Sequence, residues 1–185
     1  RTDEFKPTRN QKRALSSCKD VEVRIGDPRY TEEKFQLYLT HKKRFFSLQD
    51  DVEDKQNFRL SFYVNTPFGI EFEYYLDGKL LGVALADKTS QSFSAIYTFY
   101  QVPDNKMSLG TFSVLKQMEY ALQNRIKYFY LGYYIAENSS GISKIRGWDL
   151  EVMANRLRRP YEPISKCMGN NLVCWKRSWA RYKLE

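Results

Sequence analysis

Between Phe93 and Ile135 the chain changes its periodicity twice. Phe93-Ser-Ala-Ile-Tyr-Thr-Phe-Tyr100 alternates as a strand does. Leu109, Phe112, Leu115, Met118 and Leu122 then recur at helical spacing. Lys127-Tyr-Phe-Tyr-Leu-Gly-Tyr-Tyr-Ile135 returns to an aromatic strand. A strand–helix–strand run has few ways to bury its apolar stripe, and the economical one lays the helix on a sheet that holds both strands. The same order bears on chemistry. Ser108 is the expected N-cap of a helix over 108–124, and the first N–H groups of that helix then lie beside the sheet. Such a turn can hold a polar acyl group or a phosphate. Ser108, Gly110 and Thr111 read equally well as an ordinary helix start with a small residue for close packing.

The rest of the chain supplies the sheet. Lys6-Pro-Thr-Arg-Asn-Gln-Lys-Arg13 reads as an extended basic arm leading into a short helix. A helix is predicted over 31–46, with Thr31 as N-cap, Glu32 and Glu33 in the first turn and Lys42-Lys-Arg44 in the last. The acidic stretch 47–57 reads as a loop. Strands are predicted at 58–64, 70–76 and 80–86, with Asp77-Gly78 turning the last two into a hairpin. Beyond Ile135 the pattern weakens: Asn138-Ser-Ser-Gly141 is loop-like, 149–157 suits a short helix and Leu172-Val-Cys-Trp175 a last strand. Meander strands, then a helix, then a strand is the order of a GNAT-like acyltransferase. The expected fold is therefore α+β, a mostly antiparallel central sheet with flanking helices. A basic arm (1–26), a core (27–137) and a basic C-terminal extension (138–185) that completes the same domain make up the expected organisation.

The formal net charge is +8, and its distribution carries more information than its sum. Residues 1–26 hold seven Lys/Arg against four Asp/Glu, and residues 141–185 hold ten against four. The middle is nearly neutral, so the excess sits at the two ends, where it suits phosphates or a solvated basic face. Three cysteines, Cys18, Cys167 and Cys174, and one histidine, His41, make a poor zinc site, and no metal is expected. Free thiols in a cytoplasmic protein are the expected state. No run of about 18 apolar residues marks a membrane span, and the charged opening is not that of a signal peptide.

No P-loop, HExxH or GxGxxG is present, and a His-dependent nucleophile would have to use His41, which reads as a surface helix residue. Acyl transfer by positioning remains, since an amine nucleophile mainly needs alignment and loss of a proton. Asp87, closing the strand 80–86 and expected near a helix N-terminus, is a proton-handling or amine-binding candidate, or else a turn residue. Tyr97, Tyr100, Tyr133 and Tyr134 can line a pocket or stack on a base, or belong to the core. Glu119, mid-helix, reads as a solvated charge. Lys6, Arg9, Lys12 and Arg13 form an early basic cluster, and Lys144, Arg146, Arg156, Arg158 and Arg159 a late one, each suited to phosphates or to an acceptor's carboxylate.

Five stretches, in order, resemble the arginyl/leucyl-tRNA–protein transferases. They are Phe5-Lys-Pro-Thr-Arg-Asn-Gln-Lys-Arg13, Tyr75-Leu-Asp-Gly-Lys-Leu-Leu-Gly-Val-Ala-Leu-Ala-Asp87, Ser94-Ala-Ile-Tyr-Thr-Phe-Tyr100, Ser108-Leu-Gly-Thr-Phe-Ser113 and Tyr130-Leu-Gly-Tyr-Tyr-Ile135. The family carries a cysteine-rich part before the first of these. It also has Asp-Pro-Asp where this chain has Gln101-Val-Pro-Asp104. The resemblance implies transfer of Arg or Leu from a charged tRNA to the α-amine of a protein or peptide. Aminoacyl-tRNA would be a co-substrate, with no cofactor. It further implies Asp87 and Tyr97 as catalytic residues and a donor site of Ser108, Leu109, Gly110, Thr111, Tyr133 and Tyr134, with the two basic clusters on tRNA or acceptor. A CoA-dependent GNAT acyltransferase and a non-catalytic tRNA- or protein-binding module are the alternatives.

Overall fold

Five strands pair in sequence order, β1 (Glu22–Gly26), β2 (Gly69–Leu76), β3 (Lys79–Lys88), β4 (Ser92–Tyr100) and β5 (Tyr128–Tyr130). The structure is a computed structural model that describes residues 1–3, 5–44, 55–64, 67–102 and 107–131. The first three pairings are antiparallel and only β4–β5 is parallel, as a helix crossover between them requires. That crossover is helix α4 (Leu109–Gln123). The fold is α+β and GNAT-like, as expected.

Helices α1 (Arg9–Ser17) and α4 cover one face of the sheet; α2 (Glu32–Lys42) and α3 (Lys55–Phe62) cover the other. Alternation along β3 explains the two-sided core. Ala84 and Ala86 face α4 together with Phe72, Phe93 and Phe112, whereas Val83 and Leu85 face α2 and α3 with Phe35, Phe58 and Phe99. At the β4–β5 junction Phe93 stacks on Phe129, with ring centroids 5.2 Å apart.

Several local readings hold. Asp77 (φ 50°) and Gly78 (φ 77°) make the two-residue turn between β2 and β3, where consecutive positive φ values favour Asp-Gly. Thr31 caps α2 by accepting from the Lys34 N–H at 3.2 Å. The short helix after the arm starts with a capping box: Gln11 N–H donates to Thr8 Oγ1, and Gln11 Oε1 accepts from Thr8 N–H.

Three readings change. The predicted strand 58–64 is the helix α3 followed by its exit. Phe58 and Phe62 are two steps apart in a strand and one turn apart in a helix, so their spacing fits both. Leu60 decides, pointing to solvent at 61% exposure while Phe58 is fully buried. Residues 22–26 form the edge strand β1, which the sequence pattern did not reveal: Val23 is half-buried and its neighbours are exposed, so little alternation shows. Ser108 sits at the N-cap position of α4, but its side chain makes no capping bond, its backbone being at φ −96°, ψ 54°. The expected helix at 149–157 and strand at 172–175 lie outside the described residues.

Two register shifts matter for the site. One extra residue in β3 near Leu81 and one in β4 near Ile96 re-aim the strand ends. After them Gly82 lies opposite Tyr100, and a Cβ on Gly82 would stand 2.9 Å from Tyr100 Cβ and 3.3 Å from Leu109 Cδ2. Gly82→Ala is therefore expected to cost about 1–3 kcal/mol of stability, because both neighbours are held by the sheet and α4. A chemical denaturation midpoint equal to that of the parent would show that the contact relaxes freely.

Candidate functional site

The entry to α4 is built from four elements. Tyr100, the last residue of β4, lays its ring against the first turn of α4, so closely that a Cβ on Gly110 would meet its hydroxyl at 2.8 Å. On the other side His41, in the last turn of α2, brings Nδ1 to 2.9 Å from the Tyr100 carbonyl oxygen and 3.1 Å from its N–H. Arg44 donates to the same carbonyl at 3.2 Å and lies 5.4 Å from the ring centroid. From α1, Ser17 Oγ accepts from the Ser108 N–H at 3.4 Å, and buried Cys18 packs beside it. Burial pushes the Cys18 thiol up, which keeps it protonated and unreactive.

The first intrahelical bond of α4 is Phe112 N–H to Ser108 O, at 2.9 Å. The N–H groups of Leu109, Gly110 and Thr111 precede it, and no acceptor meets them among the described residues. Leu109 is 1% exposed and belongs to the core, so it can offer a ligand only its backbone, whereas Ser108 and Thr111 are exposed. The turn thus presents three backbone donors at the positive end of a 15-residue helix.

Asp87 lies elsewhere. It pairs with Gly69 and Ser94, at the end of β3 remote from Gly82 and Tyr100. Five residues of strand separate Asp87 from Gly82, on the order of 16 Å, and the Asp87 end is the C-terminal end of α4, where Lys88 Nζ donates to the Tyr120 hydroxyl. The expectation of a carboxylate beside the helix N-terminus is thereby corrected: the helix returns antiparallel to β4, so its entry and the β3–β4 turn are at opposite ends. Asp87 is half-buried, has no side-chain partner among the described residues, and burial alone raises its pKa. Tyr97 shares its face of the sheet by strand alternation, opposite Leu85. Its ring is 36% exposed and packs at 5.1 Å from Phe62 and 6.5 Å from His41. The predicted residues thus form two groups, Asp87 with Tyr97 on the α2–α3 face and Ser108 to Thr111 at the entry of α4.

The arm cations Lys6, Arg9, Lys12 and Arg13 are all exposed, three of them on or beside α1, the helix that adjoins the α4 entry. Glu119 is exposed and paired with Lys116 at 2.8 Å, in line with its reading as a solvated charge. His41 overturns its reading: it is 6% exposed and bonded to the sheet. Tyr133, Tyr134, Lys144, Arg146, Arg156, Arg158 and Arg159 lie outside the described residues. Among the described residues no helix is long and apolar enough to cross a membrane.

The sequence model of the family described as "Arginine-tRNA-protein transferase, C terminus" matches residues 33–140. An aspartate/glutamate leucyltransferase of Pseudomonas fluorescens (strain SBW25) is 34% identical over 154 residues, covering 83% of this chain and 66% of that protein. One of Hahella chejuensis (strain KCTC 2396) is 33% identical over 142 residues, covering 72% and 58%. The chain thus spans about two thirds or less of the length of these relatives. Among solved structures, L-PGS from Bacillus licheniformis superposes with a TM-score of 0.53 at 10% identity, over 75% of this chain and 46% of that one, a likeness of fold. An acetyltransferase from Streptococcus agalactiae 2603 gives 0.47 at 12% identity, over 67% and 80%.

Proposed function

The chain belongs to the arginyl-tRNA–protein transferase family, and from that premise we propose that it transfers an amino acid from aminoacyl-tRNA to the α-amine of an acceptor protein or peptide. The observation that carries this is the first turn of α4 beside Tyr100, which lacks a side-chain cap and whose three leading N–H groups meet no acceptor among the described residues. The acceptor's ammonium gives one proton to a base on the acceptor side, and the neutral amine attacks the ester carbonyl carbon. The C–N bond forms as the bond to the tRNA 3′-oxygen breaks, and the proton shed by the nitrogen leaves with that oxygen as a hydroxyl. No cofactor is required, because the ester is already activated. In this reading the α4 turn holds an oxygen-bearing group of the tRNA 3′ end. The exposed cations of the arm and α1 attract the phosphates, and Arg146, Arg156, Arg158 and Arg159 are proposed to join them, with Tyr133 and Tyr134 beside the donor.

Asp87 and Tyr97 are proposed for the acceptor side. A half-buried carboxylate without a side-chain partner among the described residues costs stability, which supports a role in chemistry. Asp87 and the α4 turn stand at opposite ends of β3, so in this reading the two groups hold different parts of the substrates. Leucine is the proposed transferred residue and an N-terminal Asp or Glu the proposed acceptor, following the names of the relatives. Arginine is the second reading, supported by the family description. Protein N-termini marked in this way would act as degradation signals, and the proposed location is the cytoplasm.

The test is transfer of labelled leucine or arginine from charged tRNA to peptides beginning with Asp, Glu, Arg or Ala. Leucine is expected on Asp and Glu peptides. Arginine on those peptides would exchange the donor, and CoA-dependent acylation without any transfer from tRNA would replace the reaction class. Asp87→Asn sharpens the site. Burial raises the carboxyl's pKa above its unfolded value, so the folded state binds this proton more tightly, and the resulting stabilisation fades as pH rises through the folded pKa. At neutral pH the charged Asp87 opposes folding, so Asn should leave Tm unchanged or slightly higher. Transfer should nonetheless fall by on the order of 10²-fold. Transfer at the parent rate would assign the chemistry to the α4 end alone.

A further inference from the structure

The side chain expected to serve the α4 entry, Ser108, makes no bond to it, and the hydroxyl that stands there belongs to Tyr100. That oxygen is pressed against Gly110 and has no hydrogen-bond partner among the described residues. It lies against the same turn whose Leu109, Gly110 and Thr111 N–H groups meet no acceptor among the described residues. An oxygen seated there has complementary roles open to it, accepting from those N–H groups or donating its own proton to whatever they hold.

The placement of the ring is over-determined. Gly82 and Gly110 both lack the Cβ that would collide with Tyr100. His41 and Arg44 fix its backbone from α2: Nδ1 of His41 lies within bonding distance of both main-chain polar atoms, and Arg44 donates to the carbonyl. The imidazole and phenol rings lie 5.0 Å apart. A buried histidine against this residue's main chain and two glycines, one clearing its Cβ and one its ring, together fix the tyrosine at the turn.

We propose that Tyr100 is a donor-site residue, its hydroxyl hydrogen-bonded to an oxygen of the aminoacyl-tRNA 3′ end held by the first turn of α4, and that His41 is the residue that positions it. The proposal rests on the transferase reading and adds to it a specific contact. It also separates the two strand tyrosines: Tyr97 faces α2 and α3, and Tyr100 faces α4. The ligand oxygen is either the ester carbonyl or a phosphate of the terminal nucleotides, and the hydrogen-bond chemistry is the same for both.

The test uses the full chain with leucyl-tRNA, uncharged tRNA and an Asp-initiated peptide. Tyr100→Phe keeps the ring and removes one oxygen. It should raise the KM for leucyl-tRNA about 3- to 10-fold, the range of a single net hydrogen bond, with Tm and the KM for the peptide unmoved. His41→Asn keeps a side-chain acceptor for the Tyr100 N–H and should stay near the parent. His41→Leu should reproduce the KM change, and its rescue by Asn separates positioning from packing. Weaker binding of charged and uncharged tRNA alike would name a phosphate as the partner, and an effect on charged tRNA alone would name the ester; both support the proposal. A Tyr100→Phe variant with the parent KM, or one that changes the peptide KM equally, overturns it while the transferase reading stands. A parent chain that neither binds leucyl-tRNA nor transfers leucine would remove both.

Discussion

Phe58→Ala is expected to destabilise the protein by about 3–5 kcal/mol, the range for emptying a fully buried aromatic site. Phe58 is 0% exposed and is the centre of the α2–α3 layer. Its ring lies 4.7 Å from Tyr38, 5.3 Å from Phe35 and Tyr63, 5.4 Å from Phe62 and 5.9 Å from Phe99. These neighbours are rigid rings on three elements, so collapse into the void is limited. Leu60→Ser is the matching control. Leu60 is mostly in water, so its loss should change stability by no more than about 0.5 kcal/mol. Urea denaturation of the pair would decide the local structure. A strand through 58–64 would set Phe58 and Leu60 on one face and make the two variants comparable, whereas the helix makes them an order of magnitude apart in the equilibrium constant or more.

Lys34→Met should be about as damaging, for an electrostatic reason. Lys34 is 3% exposed at its side chain and is paired with Glu71, itself 3% exposed, and with Glu73 at 2.6 Å, while also donating to the Arg29 carbonyl at 2.8 Å. One cation thus serves two carboxylates and fastens α2 to β2. Burial raises the Glu71 pKa despite the lysine, and burial with both carboxylates pushes the nearby Tyr63 hydroxyl far above its ordinary value. Removing the lysine leaves buried negative charge uncompensated, a loss of about 3–5 kcal/mol. The sign with pH follows. Glu71 already binds its proton more tightly folded than unfolded, and without Lys34 this difference grows, so the loss should be greatest at neutral pH and shrink toward pH 4–5. Lys34→Met combined with Glu71→Gln should recover much of the loss. A pH-independent defect in Lys34→Met would mean that packing of the lysine stem, and not its charge, was removed.

These two clusters also show where the sequence was readable. Thr31, the Asp77-Gly78 turn and the helix at 109–123 carry local signals, since capping, positive φ and a 3.6-residue period are decided within a few residues. Phe58 was misread because its period is ambiguous until a partner layer exists to select a face. Lys34 carries no local mark of its role, since nothing nearby in sequence announces that Glu71 and Glu73 will arrive opposite it. His41 was undervalued for the same reason: its value depends on Tyr100, 59 residues away. Of the candidate site, the α4 entry was legible as a pattern because strand, loop and helix are contiguous. Its distance from Asp87 was not, because that depends on which end of β3 the returning helix reaches.

The sheet is laid down in the order in which its strands are synthesised. A nascent chain can therefore pair β2, β3 and β4 as successive neighbours before α4 has left the ribosome, and these early steps close short loops. Two closures must wait. Parallel docking of β5 on β4 needs α4 complete, and Thr2 is buried only when its hydroxyl reaches the Ile126 carbonyl, 124 residues downstream. The basic arm thus precedes the sheet in the chain and is fastened among the last. The arm is tied down by Thr2 only once residues 126 and 127 are in place, so its exposed cations gain their setting when the sheet is finished.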